Sequence, residues 1–70
     1  MNNPKAESPL TDITVKLTGE DGNAFAIIGR VRAALRKNGR ADLVEAFSRD
    51  SMFGDYDHLL QTCLRYVIVE

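Results

Sequence analysis

The chain reads as an α+β domain: one N-terminal strand followed by three helices, with the strand paired to the C-terminal segment or across a dimer. Two patterns carry this reading. Ile13, Val15 and Leu17 alternate with Thr14, Lys16 and Thr18, the period-2 signature of a strand with one buried face. Three later segments repeat apolar residues every three or four positions, as a helix does when it buries one stripe. With 70 residues, 44% apolar and 27% charged, the chain has the composition of one small globular domain. Chains this short often need a staple or a second subunit. A single Cys rules out an internal disulfide, which points to a homodimer and to a reducing compartment, the cytoplasm.

Residues 1–11 hold Pro4, Pro9, two Asn and one Ser, with Leu10 as the one large apolar residue besides Met1. That composition is expected to form a disordered tail, leaving 12–70 as the single domain. Met1-Asn2-Asn3-Pro4-Lys5 lacks the apolar stretch of a signal peptide. No apolar run approaches the roughly 20 residues that span a bilayer, so no membrane partner is expected.

After the strand, Gly19-Glu20-Asp21-Gly22-Asn23 forms a loop, with Asn23 or Asp21 placed to cap the next helix. The first helix is predicted from Ala24 to Lys37, because Ala24, Ile27, Ile28, Val31, Ala34 and Leu35 fall on one stripe. Arg36 and Lys37 meet the negative end of its dipole, and Gly39 follows as the left-handed residue past its end. A shorter second helix, Ala41 to Met52, has Leu43, Val44 and Phe47 as its apolar face. Asp55 caps a third, whose stripe is Tyr56, Leu59, Leu60, Cys63, Leu64 and Val67. The β-branched Val67-Ile68-Val69 ends it as a frayed turn or a short strand.

Charge is uneven although the net is only −1. Arg30, Arg32, Arg36, Lys37 and Arg40 form a run with no acid, whereas residues 41–70 hold six acids and two bases. The low net charge excludes a globally cationic binder and leaves a local patch. Phe25, Gly29, Arg32 and Arg36 share one stripe beside the core face, an aromatic and two cations able to meet an acidic partner. The bland account is a solvated helix face. A helix-turn-helix around Asn38-Gly39-Arg40 fails, because Asp42, Glu45 and Asp50 on the second helix would repel phosphates.

The other candidate chemistries are thin. Two carboxylates in the Gly19–Asn23 loop argue against an anion cradle, and the loop is too short for calcium. Asp50, Asp55, Asp57 and His58 offer one nitrogen ligand, too few for a zinc site, so no metal or cofactor is expected. Cys63 lies five residues after His58, about 140° around a helix, a poor dyad. It reads as a small core residue.

The segments Val15-Lys16-Leu17-Thr18-Gly19-Glu20-Asp21-Gly22-Asn23-Ala24-Phe25 and Gly54-Asp55-Tyr56-Asp57-His58-Leu59-Leu60-Gln61-Thr62 resemble a family of small uncharacterised bacterial proteins, some carried on phages or plasmids. The likeness covers residues 13 to 70 and implies a bacterial cytoplasm, with no activity or ligand to carry over. The sequence therefore predicts a non-catalytic protein–protein interaction protein, not an enzyme. Its expected surface is Phe25, Gly29, Arg32 and Arg36, together with Asp21, Asp57 and His58 where the two polar helix-start loops meet. The alternative is a weak nucleic-acid-associated accessory protein using Arg30, Arg32, Arg36, Lys37 and Arg40.

Overall fold

A computed structural model of the chain describes residues 9–17 and 22–70. The order is strand β1 (Thr14–Val15), helix α1 (Ala24–Lys37), a 3₁₀ turn (Ala41–Leu43), helix α2 (Val44–Ser51), helix α3 (Tyr56–Tyr66) and strand β2 (Ile68–Val69). The domain is a helix-dominated α+β fold. No helix among the described residues is long and apolar enough to cross a membrane.

Local chemistry sets the helix ends. The Asn23 side chain accepts from the N–H groups of Phe25 (2.8 Å) and Ala26 (3.3 Å), two donors the first turn leaves unpaired. At the other end Gly39 sits at φ +78°. There Gly39 N–H donates to Arg36 C=O and Arg40 N–H to Leu35 C=O, the paired bonds of a glycine-closed helix end. Asp55 accepts from His58 N–H at 2.9 Å and starts α3 as its sequence position requires. The second helix is shorter than predicted: Ala41–Leu43 winds as 3₁₀ and the α-helix stops at Ser51.

The strand's partner is the C-terminal segment. Val67 leaves α3 in extended backbone, and β2 runs parallel to β1 with Thr14 opposite Ile68 and Val15 opposite Val69. The ladder is shorter than the predicted Ile13–Leu17: only Thr14 and Val15 are paired as strand residues. Bonds from Ile68 N–H to Ile13 C=O and from Leu17 N–H to Glu70 C=O continue it at both ends. Pairing also reaches back past the predicted start of the domain at residue 12. Leu10 N–H donates to Arg65 C=O, and Thr11 is buried with its Oγ1 donating to Tyr66 C=O at 2.7 Å. Thr11 thus packs with the domain, and residues 1–8 of the predicted tail lie outside the described residues.

The three helices and the inner face of the sheet enclose Ile13, Val15, Ile27, Ile28, Val31, Leu35, Val44, Phe47, Leu59, Cys63, Tyr66 and Val67. Phe47 is wholly buried and meets Tyr66 edge to face, ring centroids 5.3 Å apart. The α3 stripe is rotated from the predicted one. Thr62 is fully buried and Leu64 is 51% exposed. The burial is possible because Thr62 Oγ1 donates to His58 C=O at 2.8 Å, which leaves its hydroxyl satisfied.

Candidate functional site

The predicted α1 stripe divides when it is placed on the fold. Phe25 is 77% exposed and Arg36 is exposed, whereas Arg32 is half-buried. Arg32 Nε is shielded from solvent with no hydrogen-bond partner among the described residues. Gly29 lies between them on the surface, and nothing stands within 4 Å of where a Cβ would be. No segment of the described chain covers it.

The basic run is smaller in effect than in sequence. Nε and Nη2 of Arg40 donate to the Asp42 carboxylate at 3.1 and 3.2 Å. That hydrogen bond, aided by the charge attraction, raises the Arg40 pKa and lowers that of Asp42. Lys37 and Arg36 remain exposed at the end of α1, and Arg30 is exposed earlier on it. Phosphate binding through Nε and Nη2 of Arg40 would have to displace Asp42.

Of the two helix-start loops, the described end of the first, Gly22, touches the start of α3. Tyr56 Oη donates to Gly22 C=O at 2.8 Å, joining the approach to α1 with the first turn of α3. Asp57 is exposed beside this contact in sequence; Asp21 lies outside the described residues. Met52, Phe53 and Tyr56 are large apolar residues left exposed between α2 and α3. The sequence reading ends the second helix at Met52 and assigns neither Met52 nor Phe53 to a surface. Their position off the Leu43-Val44-Phe47 stripe was the available signal.

His58, expected at the surface, is half-buried and occupied. Its Nε2 donates to Asp50 C=O at 2.9 Å, and its ring meets Phe53 edge to face at 5.6 Å. Asp50 is also the acceptor for Tyr66 Oη at 2.8 Å. The two bonds tie the end of α2 to both ends of α3, so Asp50 and His58 brace the fold. Asp55 is used by the backbone of His58, not its ring. No cluster of three metal-ligating side chains occurs among the described residues.

Cys63 is buried in the core, where desolvation pushes its thiol up to about 11. A thiol held protonated is a poor nucleophile. The shift also has a stability consequence. Above about pH 9 the unfolded thiol loses its proton while the folded one keeps it up to about 11, so stability falls as pH rises through that window. Tyr66, raised first by burial and then by its bond to Asp50, adds to the loss above its ordinary value of about 10. Urea unfolding at pH 8 and pH 10.5 should differ by about 2 kcal/mol more in the native sequence than in Cys63→Ala. Equal pH dependence in the two proteins would refute the assignment.

An open cleft of about 630 Å³ lies between residues 9–13, Asn38 and Arg40 after α1, and Ile68. Its ionisable lining is Asp12 and Arg40, with neither a histidine nor a thiol. The chain matches no protein-family model, no curated protein and no solved structure.

Proposed function

We propose that the chain is a non-catalytic protein–protein interaction protein of the bacterial cytoplasm that acts as a homodimer. The observation that carries this reading is Phe25, a large aromatic 77% exposed on a regular helix beside the uncovered Gly29 and the exposed Arg36. Aromatic and Arg side chains are the usual anchors of protein interfaces. A glycine within a helix costs about 1 kcal/mol relative to Ala, and a close-approaching partner is a reason to keep it. The exposed Met52, Phe53 and Tyr56 supply further apolar area at the α2–α3 turn. The nucleic-acid reading is weaker, because Arg40 is held by Asp42 and Arg32 is half-buried.

The test is capture from host lysate on immobilised protein, comparing the native sequence with Phe25→Ala, Gly29→Ala and Arg36→Glu. Gly29→Ala should be more stable by about 1 kcal/mol, so lost capture in that variant cannot come from unfolding. Expected is a partner retained by the native protein and lost in all three variants. Unchanged capture in all three would remove this surface. Gel retardation decides the nucleic-acid reading. Binding through Arg36 and Lys37 alone would show a log–log salt slope of about −2, and a steeper slope would favour a wider basic face.

A further inference from the structure

β1 has two edges, and one is occupied. Ile13 and Val15 accept through their C=O groups from Ile68 and Glu70, and Leu17 N–H donates to Glu70. Peptide groups along a strand alternate in direction, so those of Thr14 and Lys16 point away from β2. They make no hydrogen bond among the described residues. A two-stranded ribbon is marginal, and an unpaired edge is a template for another strand.

The charges along this edge decide what fits it. Asp12, Thr14 and Lys16 are exposed, while Ile13 and Val15 face the core. Neither Asp12 nor Lys16 forms an ion pair among the described residues. A charge guards an edge when it repels its own copy. Here opposite charges stand equally far on either side of Thr14, so an antiparallel copy centred on Thr14 brings each Asp12 opposite the other chain's Lys16. The pattern invites what a single repeated sign would forbid.

We propose that two copies of the chain pair antiparallel along β1 about a two-fold axis at Thr14, forming a four-stranded sheet in the order β2–β1–β1–β2. Thr14 N–H of each copy donates to Thr14 C=O of the other, and two Asp12–Lys16 pairs flank this exchange. The inference rests on the homodimer proposed above and names its surface.

Sedimentation equilibrium from low to high micromolar concentration tests it. The native chain should sediment as a dimer. Asp12→Lys and Lys16→Asp each turn both flanking pairs repulsive and should weaken association by about tenfold or more. An equimolar mixture of these two variants should recover the dimer, because both 12–16 pairs are then attractive. Rescue also shows that both variants fold. Thr14→Pro, which removes an N–H that bonds nothing within the described chain, should be monomeric with an unchanged circular dichroism spectrum. A native chain that stays monomeric overturns both the homodimer and its surface. A native dimer that persists in either charge variant or in Thr14→Pro, or is not rescued by mixing, overturns the β1 pairing and leaves the homodimer standing. Mass appearing only when a foreign extended peptide is added would assign the edge to another protein and refute the two-fold pairing.

Discussion

Phe47→Ala is expected to cost the chain about a third or more of its stability. Phe47 is wholly buried and packs edge to face on Tyr66, which in turn bonds Asp50. Truncating a buried Phe to Ala costs about 3–5 kcal/mol, the lost transfer energy plus the cavity it leaves. A chain of this length has about 4–10 kcal/mol of stability in total. The substitution therefore removes from about a third of that margin to more than the whole of it. Urea denaturation followed by far-UV circular dichroism measures the loss, with Phe47→Leu as the control that keeps most of the volume. A change below about 1 kcal/mol in Phe47→Ala would mean that the core is not organised around this ring.

Gly54→Ala should be the most damaging single-methyl change in the molecule. Gly54 sits at φ +88°, where an L-residue costs about 1–2 kcal/mol. A Cβ there would also fall 2.8 Å from His58 Cγ and 2.9 Å from His58 Cβ. His58 cannot easily yield, since Asp50 C=O and Phe53 hold its ring. Together the two effects should cost about 2–4 kcal/mol. Gly39→Ala isolates the backbone component, because Gly39 has φ +78° with nothing within 4 Å of its Cβ direction. The expected order of unfolding midpoints is native, then Gly39→Ala, then Gly54→Ala. Equal losses at the two glycines would show that the His58 contact contributes nothing.

The candidate surface was half legible in sequence. The exposure of Phe25, Gly29 and Arg36 follows from their lying off the Ile27-Ile28-Val31-Leu35 stripe, which is simple helix arithmetic. His58 was misplaced because its partner is a backbone carbonyl, Asp50, and no side-chain pattern announces a carbonyl. Arg40 looked available because a run of like charge hides the acid two residues later that neutralises it.

What the sequence by itself determined are the features decided within a turn or two of chain. The cap at Asp55, the left-handed Gly39, the α1 boundaries and the burial of Cys63 are of this kind, whereas the choice of Asn23 over Asp21 as the α1 cap came from the structure. Each depends on groups a few residues apart, where spacing and side-chain chemistry leave little choice. Tertiary structure alone decided that β1 takes β2 as its parallel neighbour and that Thr11 joins the fold through Tyr66, 55 residues away. It also decided that Thr62 rather than Leu64 faces inward and that Tyr56 ties Gly22 to the start of α3. These outcomes depend on which distant groups satisfy one another's hydrogen bonds once the helices pack, and periodicity along the chain carries no record of that choice.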